Sequence, residues 1–214
     1  MFVITADQIN SRADEDRVPE AFALLGDLHR DFAAEADRNA GDEIQVVTAS
    51  PATALEAVLR LSRTGRWSVG LGIGNVRHPL PRMAREATGA AFLSAREAVA
   101  QAKRRSTRFA LRAETASDTA APRELRGDDA MALIDLLIAV RDRRTPEGWE
   151  VCDLMATEMK QTAAAEALGV TPQAVSLRLR AAGWRLERQA VPTLALVLDL
   201  LDRSIARHEE GDHA

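Results

Sequence analysis

Between Lys160 and Trp184 the sequence KQTAAAEALGVTPQAVSLRLRAAGW places groups that hydrogen-bond nucleobases and phosphate at helical spacing. Thr171 is a natural N-cap and Pro172 suits the first helical position, where its missing N–H costs nothing. In the helix that follows, Val175 and Leu179 fall four apart on an inner face. Pro172, Gln173, Ser176, Leu177 and Arg180 are left outside. Amide, hydroxyl and guanidinium groups are the ones that read base edges in a major groove. Gln173, Ser176 and Arg180 are therefore expected to face bases, and Arg178, Arg185 and Lys160 to meet phosphate. From Pro172 to Arg188 four arginines stand against the single acid Glu187. Upstream, Ala164, Ala165 and Leu168 recur at helical spacing, Gly169 breaks the helix and Val170 turns back toward the core. The pattern predicts a helix-turn-helix whose second helix reads double-stranded DNA. The same spacing also describes a helical hairpin used for packing or protein contact.

A second set of residues is carboxylic. Phe2-Val3-Ile4 is a short apolar run leading to Asp7, as in a buried strand that delivers an acid at its C-terminal end. Gly41-Asp42-Glu43 is a turn signal before the strand-like Ile44–Val47. A sheet that sets the end of the first strand beside that turn would make Asp7 and Asp42 neighbours, with Glu43 to assist. Carboxylates so placed suit a hard, oxygen-preferring cation such as Mg²⁺, which would hold nucleotide phosphates.

The elements that must position these groups follow from periodicity. Phe22, Leu25, Leu28 and Phe32 predict an amphipathic helix from Pro19 to about Arg38. Leu55, Val58 and Leu59 mark a second helix, ended by Gly65. In WSVGLGIGNV, Trp67, Val69, Leu71 and Ile73 alternate with Ser68, Gly70, Gly72 and Gly74, so one strand face is apolar and the other bare. A bare face admits a backbone, a helix or a ligand unusually close; the spacing is not that of a dinucleotide or phosphate loop. A helix from about Gly89 to Lys103 and a strand at Phe109–Leu111 complete the first half. Nine basic residues stand against Glu86 and Glu97 between Arg77 and Arg112, as either a solvated face or a phosphate-facing surface. The order of elements predicts an α+β fold: a ferredoxin-like α/β sandwich over residues 1–113, its sheet antiparallel and its helices on one face. AETASDTAAP is small, polar and aperiodic, giving a linker at 114–126. Residues 127–214 read as an all-α domain, with Asp128 and Pro146 at helix starts. Its last helix carries Leu194, Val197, Leu198, Leu201 and Ile205, a stripe to be buried on its own domain or on a twin in a homodimer.

Composition bounds the reading. The chain has 214 residues, 46% hydrophobic and 28% charged, with net charge −4 and pI near 5.7. An acidic protein does not coat nucleic acid indiscriminately, so any DNA contact is expected to be local. One cysteine, Cys152, excludes an intrachain disulfide and a cysteine zinc cluster and suits a reducing cytoplasm. His29, His78, His208 and His213 show no metal-ligand spacing. The N-terminal MFVITADQINSR lacks the long apolar core of a signal peptide or membrane span. The expectation is a soluble, cytoplasmic protein with no membrane partner.

Four blocks, ADQINSR at 6–12, GDEIQ at 41–45, VGLGIGNV at 69–76 and GAAFLSAREAV at 89–99, together resemble the SatD family of bacterial proteins, and the helix-turn-helix behind them agrees. That resemblance implies a DNA-binding or regulatory role. The same blocks look like a distant form of the class III nucleotide cyclase and GGDEF palm. There, two metal-binding aspartates match Asp7 and Asp42, and a transition-state arginine on a late helix matches Arg96. Two departures stand out: Phe92 replaces the palm helix's asparagine, and EADRNA before Gly41 is too polar and short for a good strand. The resemblance thus implies a homodimeric transcription regulator with a non-catalytic palm, sensing a nucleotide effector with or without Mg²⁺. The alternative it leaves is a metal-dependent nucleotide cyclase or nucleotidyl transferase with a regulatory helical domain. A protein-interaction adaptor with neither activity is the third reading.

Overall fold

A computed structural model describes residues 1–39, 41–114 and 125–212, with side chains up to residue 207. The chain is mixed α/β and mostly helical, built on one five-stranded sheet. Strands β1 (Phe2–Gln8), β2 (Asp37–Arg38), β3 (Glu43–Thr48), β4 (Trp67–Ile73) and β5 (Phe109–Ala113) lie in the order β2-β3-β1-β4-β5. All pairs are antiparallel except β4–β5, which is parallel. The sheet is therefore mixed rather than antiparallel as expected, and helices cover both of its faces rather than one.

The faces differ in what they can accept. On one, Phe2, Ile4, Ala6, Val69, Leu71 and Ile73 form the main core with α2 (Pro51–Arg63) and α1 (Val18–Leu24). The start of α2 is fixed by Ser50, whose hydroxyl accepts the Thr53 N–H at 3.1 Å, and by Pro51 at the first helical position. On the other face the bare side of β4 receives α3 (Ala90–Ala102). A Cβ on Gly70 would lie 2.3 Å from the Val99 nitrogen, and one on Gly72 2.2 Å from the Ala91 oxygen. Side chains there would hold α3 off, so glycine sets the spacing between helix and sheet. The connections β3-α2-β4 and β4-α3-β5 run the same way across the sheet but over opposite faces. They have opposite hands, and one departs from the usual right-handed rule.

The amphipathic helix expected over 19–38 stops at Leu24. A 3-10 turn, Gly26–Asp31, follows, and the chain then runs extended to β2. The outer edge of β3 is the cause: it needs a hydrogen-bonding partner, and this stretch supplies one. The Ala33 N–H donates to the Val47 oxygen at 2.8 Å, and Asp37 and Arg38 pair with Gln45 and Ile44. Phe22, Leu28 and Phe32 still pack against the main core.

The C-terminal half contains α4 (Gly127–Asp142), α5 (Pro146–Ala156), α6 (Gln161–Ala167), α7 (Pro172–Ala181) and α8 (Trp184–Asp212). The backbone before α4 is capped by Asp129, which accepts the Arg126 N–H at 3.0 Å, rather than by Asp128. Met131, Ile134 and Ile138 of α4 and Leu194, Leu198, Leu201 and Ile205 of α8 belong to the same core as the sheet and α2. Only α5–α7 carry a core of their own, built from Val151, Cys152, Ala164, Ala165, Val175, Leu179 and Ala182. Of the linker expected at 114–126, residues 115–124 lie outside the described residues. No helix among the described residues is long and apolar enough to cross a membrane.

Candidate functional site

The α5–α7 unit presents a defined outer surface. Helix α6 ends at Leu168, Gly169 takes the left-handed conformation at φ 63°, and Val170 donates back to the Ala165 oxygen at 3.0 Å. This turn needs glycine, because an L side chain there is strained. Thr171 then caps α7, its hydroxyl accepting the Ala174 N–H at 3.2 Å, with Pro172 at the first helical position. Val175 and Leu179 are buried against Ala164 and Ala165. Pro172, Gln173, Ser176, Leu177 and Arg180 are exposed on the opposite side. An amide, a hydroxyl and a guanidinium thus share one face of a capped helix, exposed among the described residues.

The residues expected to meet phosphate are distributed around that face. Lys160, at the N-cap of α6, and Arg185, in the first turn of α8, are exposed. Arg178 is half-buried and lies 3.7 Å from the Glu150 carboxylate of α5, so an acid already shares its charge.

The α5–α7 unit joins the body through a buried charge cluster. Glu187 accepts from both Arg141 and Arg144. Arg144 Nε also donates to the Ala182 oxygen at 2.7 Å, and Arg141 donates to the Leu59 oxygen of α2 at 3.2 Å. Burial pushes the Arg141 guanidinium below its ordinary value, with Glu187 acting against that push and Arg144 adding to it. The Trp149 ring is surrounded by cations: Arg63 lies 3.9 Å, Arg144 4.6 Å and Arg141 4.9 Å from its centroid. Sequence reasoning missed this junction, although one signal was present. Glu187 is the only acid in a basic stretch, and it stands seven residues before Leu194 on the stripe continued by Leu198 and Leu201.

The carboxylates of the first half meet only in part. Asp7 lies opposite Glu43 in the β1–β3 register, and the Gln8 N–H donates to the Asp42 oxygen at 3.3 Å. Their side chains, however, have other partners. The Asp7 carboxylate takes the Lys103 ammonium at 2.6 Å, delivered by the end of α3, and Glu43 accepts from Asn39 at 2.6 Å. Among the described residues no group of three His, Cys, Asp or Glu side chains is arranged to hold a metal ion. With Asp7 and Glu43 so engaged, the donor set does not fit Mg²⁺ as the sequence led us to expect. Arg96 is exposed on α3, two turns before Lys103, roughly 10 Å along the axis at 1.5 Å per residue, and the described partner of Asp7 is Lys103 rather than Arg96.

Four of the nine basic residues from Arg77 to Arg112 are held in ion pairs with acids distant in sequence. Arg82 pairs with Glu35, Arg85 with Asp37, Lys103 with Asp7 and Arg105 with Asp135. His29 and His78 are exposed, and His208 and His213 lie outside the residues whose side chains are described. Cys152 is buried in the α5–α7 core, and desolvation raises its thiol above the usual range. Compared with protein-family models, with curated proteins and with solved structures, the chain finds no match.

Proposed function

We propose that the chain is a DNA-binding regulator in which α6 and α7 act as a helix-turn-helix, α7 reads the major groove, and the α/β body is a non-catalytic platform. One observation carries this reading: Gln173, Ser176 and Arg180 are exposed together on a capped helix whose other face is locked into a separate small core. A helix held rigidly from behind, with its polar side open, is what base readout requires. Lys160 and Arg185 supply phosphate contacts at the rim. The strand order β2-β3-β1-β4, with its antiparallel pairs, supports a ferredoxin-like core to which α3 and β5 are added. The four sequence blocks that resemble the SatD family point the same way.

A homodimer fits this function. Leu133 and Leu136 of α4 and Leu196 and Leu200 of α8 are exposed and offer a surface for a second copy; reading successive major grooves requires its two α7 helices to stand about 34 Å apart. Selection from a pool of randomised duplexes tests the reading. The expected result is an enriched, two-fold symmetric site, bound at least tenfold more weakly by the Gln173→Ala, Arg180→Ala double variant, since one good bidentate base contact is worth about 1–3 kcal/mol. No enrichment, or specific binding unchanged in the double variant, would overturn it.

A further inference from the structure

A cleft of about 1030 Å³ separates α2 from α5 and the start of α8. Six arginines and four carboxylates line it, a surplus of two positive charges, together with Trp149 and Trp184. Most of the charge is spent inside the protein. Arg141 and Arg144 are locked on Glu187, Arg60 holds Asp27 and Glu56, and Arg66 pairs with Asp14. Two arginines differ. Arg188 sits 5.7 Å from the Trp184 ring and pairs with no described acid. Arg63 reaches across the opening from α2 to α5, where it grips Asp153 with two bonds of 2.7 Å while lying over Trp149.

That last pair is exposed, with Arg63 37% and Asp153 52% accessible. Exposed pairs contribute little, whereas a phosphate offers a guanidinium the same two-pronged geometry with more charge. Indole rings beside guanidinium groups accept a planar ring by stacking. The volume matches sites that take small organic ligands.

We propose that this cleft is a binding site for a planar, phosphate-bearing ligand of nucleoside diphosphate size, whose phosphate displaces Asp153 from Arg63 and whose ring rests against Trp184, the indole not already enclosed by guanidiniums. Displacement breaks the Arg63–Asp153 link between α2 and α5, so occupancy changes how the α5–α7 unit is held along that edge. The consequence for DNA rests on the reading proposed above; the binding itself does not, and it is measured without DNA.

Titration of the full chain with ADP, in chelator and without added metal, followed by tryptophan fluorescence, tests the site. Trp149 and Trp184 line the cleft, and the third tryptophan, Trp67, is buried in the sheet. Saturable quenching is expected. Arg63→Gln weakens it about tenfold or more, the loss of a charge-assisted contact. Asp153→Asn tightens it about two- to fivefold by removing the competing acid. These opposite signs separate a ligand site from a structural bridge, because breaking a bridge from either end acts in one direction. Inorganic pyrophosphate and adenosine serve as half-ligands, each expected to bind more weakly than ADP. No saturable change with ADP, Arg63→Gln without effect, or Asp153→Asn weakening binding each overturns the proposal. Pyrophosphate binding as tightly as ADP overturns the assignment of the ring.

Discussion

Replacing Glu187 by alanine tests the junction most directly. Its carboxylate is 10% exposed and is shared by two guanidiniums, of which Arg141 is 11% and Arg144 1% exposed. Without it, two like charges face one another in a desolvated space, left with the Leu59 and Ala182 carbonyls as acceptors. Removing one partner of a buried ion pair costs about 3–5 kcal/mol. For a chain of this size each kcal/mol lowers the melting temperature by about 2–4 °C, so the expected drop is about 6–20 °C. Differential scanning calorimetry measures it. Arg63→Gln provides the internal comparison: it breaks an exposed pair worth about 0.2–1 kcal/mol, hence at most about 4 °C. Glu187→Gln, which keeps volume and removes charge, should fall close to the alanine variant, because Arg141 and Arg144 use different carboxylate oxygens and the amide turns an NH2 donor toward one of the two guanidiniums. If Glu187→Ala melts within the range of Arg63→Gln, the cluster does not hold the two parts together and the reasoning fails.

Gly70→Ala and Gly72→Ala place a methyl group within 2.3 Å of the α3 backbone; each should destabilise by about 3 kcal/mol or more, at the upper end for overpacking, as read from urea midpoints. Thr171→Ala removes the cap of α7 and should cost about 1 kcal/mol, visible as faster amide exchange in residues 174–176, beginning at the Ala174 N–H that the cap accepts. Lys160→Ala and Arg185→Ala should each lower the salt dependence of DNA affinity by about 0.9 in the log–log slope while leaving the preferred site unchanged. The hydrogen bond from Arg17 holds the Asp14 carboxyl down at about 2, from an ordinary 3.8. A depressed carboxyl stabilises the fold above its ordinary value and loses that contribution as pH falls toward about 2. Carbon-detected NMR should find Asp14 titrating there, and Arg17→Gln should return it to the ordinary range.

The parts of the fold legible in the sequence were those where a local pattern matched a local cause. Alternation in 67–74 marked a strand with one bare face, and that face does admit a backbone, the α3 helix. Thr171 and Pro172 marked the start of α7, and Gly169 its turn. Apolar spacing at Phe22, Leu25, Leu28 and Phe32 misled, because a helix followed by a 3-10 turn and an extended arm buries much the same residues while also completing the edge of β3. The partner of Asp7 was hidden for a different reason. Asp7 and Lys103 are 96 residues apart, and nothing local to either shows that the end of α3 arrives at the end of β1. Likewise the stripe on α8 announced that it must be covered, without showing that the sheet's own core would do it.

That shared core has a consequence for synthesis. Residues between Leu194 and Ile205 join the main core by packing on α2 and α4, and the chain's first amino group pairs with Asp202. As the polypeptide leaves the ribosome, α2 emerges long before the helix that covers it, so its outer apolar side stays open to solvent or to chaperones for most of translation. The α5–α7 unit, with its independent core, has no such wait. Maturation should therefore run against the order of the sequence, with the small helical unit compact before the larger half can close.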